Sequence, residues 1–133
     1  MKKYLLISIS LLMLLFSSCG KRTESKLVGE WRVVSVGDCG WNENATWTFY
    51  SGGDLSIYGD RNVGGTVTQN GTWEIYTRSL ITSYVNIDGY STYGLNGHWR
   101  VEKVNSNKLI LNRTENIDGS TSGAFMRREF VKK

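Results

Sequence analysis

From Leu27 to Val131 the chain is written in short alternating runs separated by turn signals. No stretch of that span keeps apolar residues at helical spacing. A period of two sends successive side chains to opposite faces of an extended chain, so each run reads as a strand with one buried face. Leu27, Trp31 and Val33 share a face, with Glu30 and Arg32 on the other. Ala45, Trp47 and Phe49 alternate with Thr46, Thr48 and Tyr50. Ser51-Gly52-Gly53-Asp54 is a turn, because adjacent glycines reach the positive φ angles a hairpin needs. Leu55 and Ile57 follow as a strand, then a Gly- and Asn-rich loop over Gly59–Gly65. Further strands are expected at Thr72–Ile75, Ser79–Asp88, Tyr90–Val104, Lys108–Arg113 and Ala124–Val131. Asp88-Gly89 is a hairpin signal, and Asn116–Gly123 is a polar loop. The count is about eight strands, or nine if Tyr90–Val104 divides at Asn96-Gly97. Trp47, Trp73 and Trp99 stand 26 residues apart, each with an apolar residue two positions on, as a repeated hairpin would produce. Short connections favour antiparallel pairing in sequence order. Eight such strands close into an up-and-down barrel, which removes exposed edges. A sandwich would need a long crossover, and none is visible.

The segment before this domain has a different character. Lys2 and Lys3 precede an unbroken apolar run from Tyr4 to Phe16, then Ser17, Ser18 and Cys19. The run is shorter than the roughly 20 residues of a spanning helix. It has the basic, apolar and small-residue regions of a secretory signal peptide. Phe16-Ser17-Ser18-Cys19 resembles a bacterial lipobox, with Phe16 where Leu is usual. The resemblance implies cleavage after residue 18 and a diacylglycerol on the Cys19 sulfur. The alternative is an ordinary signal peptide with Cys19 incidental. The expected organisation is a lipoprotein signal peptide over 1–18, a polar tether over 19–26 and a barrel domain over 27–133. The tether has no acidic run after the cysteine, which favours an outer-membrane domain facing the periplasm.

Composition narrows the chemistry. Aromatics make up 12% and charged residues 21%, too much of the first and too little of the second for a disordered chain. One His and two Cys exclude a Cys/His zinc module and a disulfide framework. No calcium-loop spacing appears among the Asp-rich turns, so neither metal nor cofactor is expected. Two of the four net positive charges belong to Lys2 and Lys3. With an envelope address, nucleic acid is not an expected partner. His98 lies beside Trp99, which should face inward, so His98 should face out as an ordinary surface side chain. It has no base partner at a recognisable spacing, and no catalytic residue is expected. Cys39 has no basic neighbour to activate it. Trp47, Phe49, Trp73, Tyr84 and Trp99 are expected to project into the barrel. Packed together they fill it; arranged around a gap they line an apolar pocket.

Leu27-Val28-Gly29-Glu30-Trp31 resembles the G-x-W signature at the first barrel strand of lipocalins. With the lipobox, Phe49 to Leu55 and Gly71-Thr72-Trp73, the chain resembles the small lipocalin-like lipoproteins of Bacteroidetes. The resemblance implies that Gly29 and Trp31 close one barrel end and that Arg127 or Arg128 lies across the Trp31 ring. Alternation lets only one of the two arginines point inward. Lipocalins also carry a helix before the last strand, where this chain has only a polar loop. The expected function is a lipid-anchored binding module, with a small apolar or amphipathic ligand at the end opposite Trp31. The alternative is a filled barrel that acts as a structural or protein-interaction lipoprotein. It would contact an envelope protein through loops such as Gly37–Glu43 and Asn116–Gly123. An enzyme is not expected.

Overall fold

A computed structural model describes residues 21–36, 44–61, 65–79, 81–91 and 94–133. The signal segment, Cys19, Cys39 and the Gly37–Glu43 loop lie outside the described residues. Eight strands follow in order: β1 (Gly29–Val36), β2 (Thr46–Phe49), β3 (Asp54–Arg61), β4 (Gly65–Ser79), β5 (Thr82–Asp88), β6 (Gly97–Val104), β7 (Lys108–Glu115) and β8 (Thr121–Lys132). Each pairs antiparallel with its neighbour, and β1 pairs with β8, so the sheet is a closed barrel. The expected all-β, up-and-down, eight-stranded barrel is thus the observed fold.

The alternation fixes what goes inside. Trp31, Val33, Trp47, Phe49, Leu55, Ile57, Val85, Ile87, Trp99, Leu109, Leu111 and Phe130 are all buried to within 1%. Most intervening positions face outward, although Ile110 and Asn112 of β7 are buried as well, and closure leaves no edge strand. The β2–β3 hairpin turns where the glycines indicate: Tyr50 N–H bonds the Asp54 carbonyl at 2.9 Å, with Gly53 at φ 91°. The Trp73 indole N–H reaches the Tyr50 carbonyl at 3.0 Å and ties that hairpin to β4.

Four local expectations are corrected. The Gly59–Gly65 segment is strand at both ends, because β3 runs to Arg61 and β4 begins at Gly65. Asp88-Gly89 is no tight hairpin, and Tyr90–Val104 becomes strand only at Gly97. The reason is Asn96. Its amide accepts from Tyr90 N–H at 2.9 Å and donates to the Tyr90 carbonyl at 2.8 Å, which closes a longer loop. The last strand starts at Thr121 rather than Ala124. The tether is helical over residues 21–27, ending on buried Leu27.

Tyr90 anchors that loop against the barrel. Its hydroxyl donates to the Leu55 carbonyl at 2.5 Å, and burial raises its phenol well above the ordinary value. A raised folded-state pKa gives stability that is whole below the unfolded value of about 10 and is lost as pH rises from there. Tyr90→Phe should cost about 1 kcal/mol at neutral pH. It should also flatten the alkaline limb of stability between about pH 10 and 12, as measured by urea titrations across that range.

Candidate functional site

A ligand could meet this barrel at its interior, at its two ends or on its outer wall. The interior is occupied by aromatic rings. Trp47 lies at its centre, 6.3 Å from Phe49, 6.2 Å from Trp99 and 5.1 Å from Phe130 between ring centroids. Phe49 meets Trp73 edge-on at 5.2 Å. These are the tilted and T-shaped distances at which aromatic rings attract. Four of the five residues expected inside are there. The fifth, Tyr84, is not. Its neighbours Val85 and Ile87 take the inner face, so Tyr84 stands on the outer wall, stacked on Tyr76 at 5.4 Å.

Arg128 is the inward member of its pair and is 1% exposed. Its guanidinium lies 5.2 Å from the Trp47 ring and 5.8 Å from Trp99. Arg127 faces out, bonded to Glu102 and to Glu129 at 3.2 Å. Neither arginine covers Trp31. Lys132 does, with its ammonium 4.3 Å above the ring. Register explains the exchange. Lys132 is the direct cross-strand partner of Trp31, whereas Arg128 pairs with Val36, farther along β1. The Lys132 ammonium also donates to the Val28 carbonyl at 2.7 Å, and its partial burial lowers its pKa.

The opposite end repeats this arrangement. Leu95-Asn96-Gly97-His98-Trp99 has the same L-x-G-x-W order as Leu27 to Trp31. Trp31 donates its indole N–H to the Leu27 carbonyl at 2.7 Å, and Trp99 donates to Leu95 at 2.9 Å. Gly29 and Gly97 both have positive φ, 122° and 140°. Lys132 bonds the Val28 carbonyl; Arg113, the cross-strand partner of Trp99, bonds the Asn96 carbonyl at 3.0 Å. Because odd and even strands run oppositely, the starts of β1 and β6 lie at opposite ends of the barrel. The end opposite Trp31 therefore carries a second tryptophan closure. A second L-x-G-x-W could have been read from the chain.

On the outer wall, His98 is the cross-strand partner of Glu115. Arg78 reaches over from β4 and bonds both Glu115 oxygens, one at 2.6 Å, and lies 5.1 Å from the Tyr84 ring. That guanidinium lowers the Glu115 pKa, and it occupies the carboxylate that could have served His98 as a base partner. Tyr76 Oη, Asn86 Oδ1 and His98 Nδ1 are buried here without a hydrogen-bond partner. Among the described residues, no three His, Cys, Asp or Glu side chains gather as metal ligands would.

The walls differ in character. Around β6–β8, Arg100, Glu102, Arg127, Glu129 and Lys108 form linked ion pairs. Around β2–β4 the outward residues include Thr46, Thr48, Ser56, Tyr58, Thr68 and Asn70, with Asp54 and Asp60 toward the two ends of β3. A cavity of about 700 Å³ lies there, lined by Asn44, Thr46, Tyr58, Asp60, Thr66 and Lys133. Comparisons with protein-family models, with curated proteins and with solved structures found no match.

Proposed function

We propose that the chain is a lipid-anchored, lipocalin-like lipoprotein of the outer membrane, facing the periplasm, that works through its outer surface. Its barrel is a solid scaffold, and its contacts with an envelope partner are made by the wall and loops. The observation that carries this reading is the central stack of Trp47, Phe49, Trp99 and Phe130, with centroids 5.1–6.3 Å apart. Trp31 closes one end of that stack, and Trp99, itself part of it, closes the other. A small ligand inside would have to displace rings whose burial contributes roughly 2–3 kcal/mol each. Anchoring rests on the Cys19 box alone. The bond between Cys19 and two or more acyl chains would hold the domain at the membrane durably.

A second reading keeps the small amphipathic ligand inside the barrel. One observation favours it: the Trp47 indole N–H is buried and has no hydrogen-bond acceptor. Leaving such a donor unsatisfied costs about 1–3 kcal/mol, and a ligand acceptor would remove that cost.

Two measurements on protein from its native host separate the readings. Native mass spectrometry should give the mass of the lipidated chain alone, and photo-crosslinking from Ile117 should yield one reproducible envelope protein. A stoichiometric small molecule retained through purification would overturn the solid-barrel reading in favour of the second. Cys19→Ala should move the chain from the membrane fraction to the soluble periplasm; unchanged fractionation would sink the anchor.

A further inference from the structure

We propose that the outer wall of β2–β4 binds a neutral glycan chain, with Tyr58 as the ring on which a sugar stacks. The inference rests on the reading that the barrel acts through its outside, and it names the chemistry of one part of that surface.

Tyr58 is a large aromatic with 57% of its surface exposed, at the centre of a sheet face. A solvated tyrosine ring in that position gives up burial that an inward ring would gain. Its cross-strand partners are Thr46 on one side and Thr68 on the other. One step along the strands, Thr48, Ser56 and Asn70 form a second row. The array holds hydroxyls and an amide, groups that donate and accept without charge. A pyranose presents the same chemistry in reverse. Its hydroxyls need both donors and acceptors, and its C–H face suits the electron-rich face of an aromatic ring.

The charged side chains at the border, Glu30, Arg32, Asp60 and Lys133, sum to zero. The Asp60 carboxylate accepts from the Thr66 hydroxyl. Lys133 lies 3.5 Å from Glu30, and Arg32 donates to the Asn44 side-chain oxygen at 3.0 Å. Arg32 and Asp60 each bond a neutral partner here, so the border favours neither an anion nor a cation. Asn44 sits at φ 77°, held by its backbone bond to Val33 and by Arg32, so its place at the rim is fixed. The cavity beside Tyr58, about 700 Å³, has a mainly polar lining and is open along the wall, as a chain ligand requires. The β6–β8 wall offers none of this, because its arginines and glutamates are spent on one another.

The test titrates the purified protein with cellohexaose, maltohexaose and chitohexaose, and with hexagalacturonate as the anionic comparison. Binding is read by calorimetry and by amide shifts in NMR spectra. At least one neutral probe should bind in the sub-millimolar range, with shifts at Thr46, Tyr58 and Thr66. Tyr58→Ala should weaken that binding about tenfold, whereas Tyr58→Phe should stay within about threefold. Thr46→Val, which removes a hydroxyl beside Tyr58, should weaken it several-fold and serves as the probe if Tyr58→Ala folds poorly. The proposal is overturned by no neutral binding at about 10 mM. It is overturned equally by tighter binding of hexagalacturonate, by indifference to Tyr58→Ala, or by shifts confined to the β6–β8 wall. A failure here leaves the mass-spectrometry and crosslinking results standing, so the two readings fail separately.

Discussion

Replacing Trp47 by alanine should lower stability by about 4 kcal/mol, the largest loss expected from any single side chain in this barrel. The residue is fully buried and touches Phe49, Trp99 and Phe130, while the Arg128 guanidinium lies 5.2 Å from its ring. Truncation removes the transfer energy of an indole and leaves a cavity that the barrel walls, tied by eight hydrogen-bonded ladders, have little freedom to close. Domains of this size are stable by only about 5–15 kcal/mol, so the loss is a large share of the whole. The midpoint of thermal unfolding should fall by roughly 15 °C. Trp47→Phe keeps a ring in place and removes the buried N–H that has no acceptor. Its cost should be less than half that of Trp47→Ala. If Trp47→Phe instead costs as much as the alanine variant, the indole N–H has a partner inside the barrel, and the second reading gains.

Much of the fold was legible because burial on one face writes a period of two into each strand. Trp47 and Phe49, or Leu55 and Ile57, could face only inward once their neighbours were Thr, Ser and Tyr. Legibility failed where side chains override local signals. Asp88-Gly89 has the residues of a tight turn, yet Asn96, six residues beyond Tyr90, bonds both of its backbone groups and makes a loop instead. Tyr84 failed for a related reason. In Ser79–Asp88 both parities hold bulky residues, and only pairing with Tyr76 shows which set faces out. The cation on Trp31 could not be chosen from spacing either. Arg127, Arg128 and Lys132 lie within six positions, and the β1–β8 register, shifted by an irregularity between Val33 and Ser35, decides among them. The wall around Tyr58 was visible as alternate Thr and Ser, but its cavity needs three strands and the chain end brought together.

The second L-x-G-x-W makes a sharper prediction, because the two closures differ in what surrounds their glycines. At Gly97, an added Cβ would lie 2.4 Å from the Glu115 carbonyl oxygen and 2.7 Å from Arg113 Nε. The carbonyl belongs to the neighbouring strand and cannot move without breaking the β6–β7 ladder. At Gly29 the nearest atom is the Lys132 ammonium at 2.6 Å, the end of a flexible chain that can swing aside. Both glycines have positive φ, which strains any L-residue by about 1–3 kcal/mol. Gly29→Ala should therefore cost about 1–2 kcal/mol, chiefly backbone strain and the loss of the Lys132 contact with Trp31. Gly97→Ala should cost about 3 kcal/mol or more, because the strain is joined by a backbone clash. Urea titrations followed by tryptophan fluorescence would measure both. Equal costs would mean that β7 yields at Glu115 as readily as Lys132 does, and that the end at Trp99 is closed less tightly than its backbone contacts indicate. That outcome would also reopen the mouth through which a ligand could enter, so this pair of variants bears on the solid-barrel reading as well as on the fold.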